Sequence, residues 1–225
     1  MDSALTSFVD LHTQVQSYGD SAFTTVVYRG VKSVDFHLVP KVGRLQGFRA
    51  PSLDLGDEQF ILRLFKQQAL PYLDRVPNGD WEWLAIGQHH GLPTRLLDWT
   101  RNPLVACYFA VEEEYDGDSV VYALRGHGQV DTALTPNPFA IDKVERVIPS
   151  HVTPRITAQA GLFTVHCDPQ VPFDSDRVDR MIIPSARRRD LKKTLYKFGV
   201  HAATLFPGLD GLARHIEWAR TNAHA

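Results

Sequence analysis

At 225 residues, with 44% hydrophobic and 10% aromatic side chains, the chain is long enough to bury a substantial core as one compact domain. Its 24 Lys and Arg against 26 Asp and Glu give a formal charge of -2, which excludes a disordered or strongly basic chain and leaves charge silent about partners. No run reaches the ~18–20 apolar residues of a membrane span, and MDSALTSFVDLHTQ lacks the basic region, apolar run and cleavage site of a leader. The expectation is a cytoplasmic protein with no membrane partner.

In chain order, Ser3 as N-cap, then Leu5, Phe8, Val9 and Val15 at helical spacing and Gly19 as a stop, predict an N-terminal helix over residues 1–19. Residues 20–225 then read as a single domain, since no repeat or low-complexity linker divides them. TTVVYRGV is β-branched and aromatic and predicts a strand ending at Arg29-Gly30. The long loop after it, through HLVPKVGRLQGFRAPS, sets Lys41, Arg44 and Arg49 among Gly30, Gly43 and Gly47. That is neither a Walker loop nor a GxGxxG fingerprint, but its cations suit a phosphate.

From Asp57 a helix is expected with Phe60, Ile61, Leu64, Phe65 and Leu70 on its apolar face. A second runs from Asp80 through WEWLAIGQHH and stops at Gly91-Leu92-Pro93. Asn102 as N-cap and Pro103 in the first turn predict a buried helix over LVACYFAV. SVVYAL, GLFTVHC and RMIIP follow as strands. SARRRDLKKTLYKFG predicts a helix with Ser185 as N-cap, a Leu191, Leu195 and Phe198 stripe and Gly199 at its end. AATLFP reads as a short strand and GLARHIEWAR as a closing helix, while Cys107 and Cys167, both in apolar contexts, read as buried free thiols.

The densest chemistry is QHHGLPTRLLDWT, residues 88–100. Adjacent His89 and His90 diverge at a helix end, with no HExxH or matching ligand cluster, so no metal is expected. Arg95 and Asp98 admit two readings: a local ion pair bracing the loop around Trp99, or a free Asp98 carboxylate presented to a ligand. The basic run of Arg187, Arg188, Arg189, Lys192, Lys193 and Lys197 also admits two, a solvated helix face or a nucleic-acid contact.

VVYRG, LVPKVGR, WLAIGQHHGLPTRLLDWTRNPLVACYFA, RITAQAGLFTVH and LFPGLDGLARHI, in that order, resemble the FRG domain family, whose Phe/Tyr-Arg-Gly motif is here Tyr28-Arg29-Gly30. A weaker resemblance, carried by YRG, a Thr before the helix, the VVYAL strand and a polar residue leading a later strand, is to mono-ADP-ribosyltransferases of the Arg-Ser-Glu type. It implies an α+β fold with a split antiparallel sheet flanked by helices, ADP-ribosyltransferase-like, holding NAD as substrate in its cleft. It implies that Arg29 holds the NAD pyrophosphate, through its planar guanidinium fork, or the adjacent ribose; Gly30 and, from the loop's spacing, Arg44 join it as candidate cofactor-binding residues. Thr100 stands where the family serine orients ribose, and Trp99 stacks on nicotinamide or walls the cleft. His89 or His90 is expected to line its entrance or to assist proton transfer. The family glutamate position holds Gln159, so Asp98 becomes the candidate catalytic carboxylate, with Thr100 and Gln159 beside it. Two functions follow: ADP-ribosyl transfer to a macromolecular acceptor or NAD hydrolysis, and a non-catalytic module that binds protein or nucleic acid.

Overall fold

The computed structural model describes residues 2–19, 26–45, 55–149 and 153–221, with backbone alone at 55 and 56. Gly47 and Arg49 of the expected phosphate-facing loop lie outside the described residues. Along the chain run β1 (Asp2–Ala4), α1 (Phe8–Ser17), β2 (Val27–Val31), α2 (Leu55–Ala69), α3 (Asp80–His89), β3 (Leu96–Thr100), α4 (Pro103–Val111) and β4 (Ser119–Leu124). There follow β5 (Glu145–Val147), α5 (Pro154–Ala158), β6 (Gly161–Val165), β7 (Val178–Ile183), α6 (Ser185–Lys197), α7 (Ala202–Leu205) and α8 (Leu209–Thr221).

The fold is α+β, built on one seven-stranded sheet in the order β1-β7-β4-β2-β3-β6-β5. Five neighbour pairs are antiparallel, but β1 runs parallel to β7, so the sheet is mixed where a purely antiparallel one was expected. The cause lies at the first residues. Ser3 does not cap a helix: Asp2–Ala4 extend along β7 and deliver buried Leu5 to the core. Ser7 caps α1 instead, its Oγ accepting from the Asp10 amide at 3.2 Å while the Asp10 carboxylate accepts from the Ser7 amide at 2.9 Å.

The sheet divides at its middle. Strands β2 and β3 share a single registered pair, Tyr28 with Thr100. Beyond it β2 continues against β4 over all five residues, and β3 continues against β6 over all five of its own. Alternation along the strands then sorts side chains to two faces. Tyr28, Val121, Ala123, Met181 and Ile183 pack under α1, α4 and α6. Leu96, Phe163 and Val165 pack with Trp81, Trp83 and Leu84 of α3 and Leu62 of α2. Val27, Leu97, Trp99, Val120 and Tyr122 form a third cluster.

Helix α4 presses directly on β2, and Gly30 makes this approach achievable: a Cβ there would lie 1.8 Å from the Ala106 carbonyl oxygen. At the other end of α4, Asn102 caps as the sequence suggests, its Oδ1 accepting from the Leu104 amide at 2.9 Å.

Several expectations change in the packed chain. On α2 the buried positions are Glu58, Leu62 and Ala69, whereas Phe60, Leu64 and, just past its end, Leu70 are exposed. A buried glutamate defeats a purely hydrophobic reading of that face. AATLFP forms helix α7, not a strand, because Thr204 Oγ1 donates to the Gly199 carbonyl at 2.8 Å and accepts from the His201 amide at 3.2 Å, closing a helical turn. Pro184, not Ser185, holds the N-cap position of α6, and Phe198 of its expected apolar stripe is exposed. Cys167 is exposed; Cys107 is buried, and burial pushes its thiol up to about 12.

Of the two readings open for Arg95 and Asp98, the local ion pair does not form. Arg95 turns inward to Glu58, which receives its Nη2 at 2.8 Å, its Nε at 3.0 Å and its backbone amide at 3.1 Å. Phe139 covers the guanidinium at 4.8 Å. Truncating one member of such a pair strands the other charge in the interior. Glu58→Ala is therefore expected to destabilise the protein by about 3–5 kcal/mol in a urea unfolding titration.

Candidate functional site

Where β2 and β3 part, a cleft of about 460 Å³ opens. Its walls come from Arg29 and Gly30 of β2, Asp98, Trp99 and Thr100 of β3, His89 at the end of α3, Arg44, and Arg155 with Gln159 at α5. The structure thus brings most of the sequence-selected residues to one place. His90 is not among the lining residues: it caps α3, its amide donating to the Ile86 carbonyl at 3.0 Å, and meets His89 edge-on.

Arg29 spans the gap between the parting strands. Its Nη1 donates to the backbone carbonyl of Asp98 at 2.7 Å and lies 3.6 Å from the Asp98 carboxylate. Only 21% of its side chain is exposed, against 58% for Asp98. Burial works against the Arg29 charge and the Asp98 carboxylate works for it, leaving the guanidinium below its ordinary range. Asp98 is the more accessible partner and faces the opening.

The spacing within QHHGLPTRLLDWT now has a physical cause. Gly91, at φ +84°, reverses the chain after α3. Gln88 therefore meets the returning strand, and its Nε2 donates to the Asp98 carboxylate at 2.9 Å. The amide is oriented in turn by Thr94, whose hydroxyl donates to Gln88 Oε1 at 2.7 Å and accepts from the Leu96 amide at 3.1 Å. A relay of Thr94 and Gln88 positions the carboxylate.

Trp99 is a wall. Its indole is buried, and its N–H donates to Thr164 Oγ1 at 2.9 Å. The Thr164 hydroxyl, 3.0 Å from His166 Nε2, is then left to donate to an unprotonated ring nitrogen. That agrees with burial, reinforced by Arg29, His127 and Arg95, pushing His166 down to about 3. Thr100 also lines the cleft, but its hydroxyl donates to the Gln159 carbonyl at 2.6 Å and accepts from the Asn102 amide at 3.0 Å. The Gln159 amide nitrogen donates to the Leu205 carbonyl at 3.0 Å. The Thr100 hydroxyl thus holds the turn before β6 against the start of α4, and the Gln159 side chain ties that turn to the end of α7. Gly30 owes its lack of a side chain to that helix as well.

Cations dominate the rest. Arg29, Arg44 and Arg155 line the cleft. Glu112 is engaged by Arg214 at 3.1 Å and Tyr108 at 3.2 Å, and Glu113 pairs with Lys32. Asp98, at 58% exposure, is the carboxylate most open to the cleft, and the arginines around it suit an anion. His89 adds no charge at neutral pH, because burial and then Arg155 and His90 push it down to about 4. Sequence reasoning missed Arg155. RITAQAGLF reads as a strand approach, and nothing in the spacing marks its arginine as turning toward Phe206 and the cleft.

The basic run of α6 divides into two sets. Buried Arg188 donates to the carbonyls of Ala110 at 3.0 Å and Glu113 at 2.6 Å, and Lys192 to that of Glu112. These cations satisfy carbonyls at the C-terminal end of α4. Arg187 and Arg189 stay exposed, with Arg187 4.0 Å from Asp190. Among the described residues, no three His, Cys, Asp or Glu side chains gather to hold a metal ion, and no helix is long and apolar enough to cross a membrane.

The family model of the FRG domain matches residues 24–119, so an FRG domain is present over that span. It covers β2 through the start of β4, including Arg29, Asp98 and the relay behind it, whereas Arg155 and Gln159 lie beyond it. No curated protein and no solved structure matches the chain.

His89 and His166 both have folded values below the ordinary 6.5, at about 4 and about 3. The unfolded chain therefore binds more protons than the folded one in that window, and stability falls as pH drops from about 6.5. Urea midpoints measured from pH 7 to 4 should decline, and His166→Gln should flatten the decline.

Proposed function

From an FRG domain at residues 24–119 and a cationic cleft at the fork of its sheet, we propose that the protein binds NAD or a related nucleotide and transfers or hydrolyses its ADP-ribose. The observation that carries this reading is the pairing of desolvated Arg29 with an accessible Asp98 across the fork. A planar guanidinium donates in parallel to phosphate oxygens, and one fixed in a partly dry site does so at small conformational cost.

In the reaction, the bond between ribose C1′ and the nicotinamide nitrogen breaks, and its electron pair leaves with nicotinamide. Positive charge develops on the ribose ring as an oxocarbenium. Asp98, held by Gln88 and Thr94, places a negative charge where that cation forms; electrostatic groups prepositioned in this way contribute the largest share of many rate enhancements. Water, or a nucleophile on a macromolecular acceptor, then adds at C1′ and loses a proton. Neutral Gln159 serves as a hydrogen-bonding group only, and Trp99 walls the nicotinamide end.

Two observations favour a second reading, a non-catalytic module that uses the same cleft, or the exposed Arg187 and Arg189, to bind protein or nucleic acid. The Thr100 hydroxyl is engaged within the protein, and the family glutamate position holds Gln159. Calorimetry with NAD followed by a nicotinamide-release assay separates the two. The enzyme reading expects binding that Arg29→Ala weakens about tenfold or more, since charge-assisted hydrogen bonds contribute roughly 1.5–3 kcal/mol. It expects release that Asp98→Asn slows by about a hundredfold or more. Binding without release supports the non-catalytic module, and neither binding nor release removes NAD from the account.

A further inference from the structure

Arg155 sits in this cleft as an arginine whose fork is not filled. Its guanidinium lies over Phe206, 4.5 Å from the ring centre, and Arg214 lies over the same ring at 4.1 Å. Among the described residues its buried Nε–H has no hydrogen-bond partner, and its Nη1 donates to the His89 carbonyl at a long 3.5 Å. Its neighbours and the core arginines are better held: Arg95 bidentately by Glu58, buried Arg188 by backbone carbonyls, exposed Arg214 by Glu112, and Arg29 by Asp98.

A buried donor without an acceptor is costly, and native proteins retain few of them. A rigid cation stacked on an aromatic ring in a cleft is retained at less cost when a ligand oxygen completes its hydrogen bonds. Burial already works against the Arg155 charge, while Asp98 supports it, as Asp98 also does for Arg29. The two guanidiniums therefore both lie within electrostatic reach of one carboxylate, with Arg44 on the same cleft.

We infer that Arg155 is a second anion anchor of the cleft, so that Arg29 and Arg155 together select two linked anionic groups, a diphosphate, over a single phosphate. Each arginine takes one phosphate, and Asp98 repels a phosphate from its own position, leaving that point to an uncharged or cationic part of the ligand. This rests on the reading of the cleft as a nucleotide site, but inorganic pyrophosphate tests it without any nucleoside.

The experiment is calorimetric titration of the full chain and its Arg155→Gln and Arg155→Lys variants with inorganic pyrophosphate, orthophosphate and NAD, folding being checked by thermal unfolding. Wild-type protein is expected to bind pyrophosphate at least tenfold more tightly than orthophosphate. Arg155→Gln should lose tenfold or more of the pyrophosphate affinity while orthophosphate affinity, held by Arg29, changes less than threefold. Arg155→Lys keeps the charge but not the fork and should lose severalfold, which preserves the test if the Gln variant fails to fold. Equal wild-type affinity for the two anions, no pyrophosphate binding at all, or unchanged pyrophosphate affinity in a folded variant overturns the inference. Pyrophosphate binding that depends on Arg155, with no NAD binding, leaves the anchor standing and removes the NAD reading alone.

Discussion

Strands β2 and β3 hold together at Tyr28 and Thr100 and then part. Backbone groups that leave a ladder need other partners, and the Asp98 carbonyl finds one in the Arg29 side chain. Arg29 thus stands where the next rung of the sheet would be. It satisfies the strand it faces, keeps the two halves of the sheet apart, and stays partly uncovered at the cleft it helps to open. The same constraint accounts for Gly30: α4 can support β2 at the fork only if position 30 carries no Cβ against Ala106.

Two buried polar groups hold the other side of the fork in place. Glu58 and Arg95 join α2 to the residue that precedes β3, and Trp99, Thr164 and His166 join β3 to β6 and the residue that follows it. A one-residue slip of β3 would turn Asp98 from the opening into the core, and both sets of hydrogen bonds would break with it. Interior polar groups in such numbers carry a desolvation cost that apolar packing would avoid. Here they fix which face of β3 meets the cleft.

Local signals in the sequence carried much of the frame. Strands rich in Val, Ile, Leu and Tyr announced β2, β4, β6 and β7, and the Asn102-Pro103 start of α4 announced its cap. The failures share a cause, dependence on contacts distant in the chain. Arg95 looks toward Asp98 three residues on, but its partner is Glu58, 37 residues back. Glu58 in turn hides the true inner face of α2, since a carboxylate there reads as solvated until its arginine is known. AATLFP has strand-like residues and forms α7 through Thr204. In the cleft, Arg29 and Asp98 were legible from their motifs, whereas the Gln88–Thr94 relay needed the reversal at Gly91. Arg155 needed Phe206, 51 residues further along the chain.

Every role proposed for Arg29, Asp98 and Arg155 depends on the fork of the sheet being the binding site. A crystal structure of the protein with NAD bound tests it most directly. The pyrophosphate is expected between Arg29 and Arg155, with the nicotinamide ribose facing the Asp98 carboxylate. NAD seated away from β2 and β3, or lying in the cleft with its phosphates turned from both arginines, would contradict it.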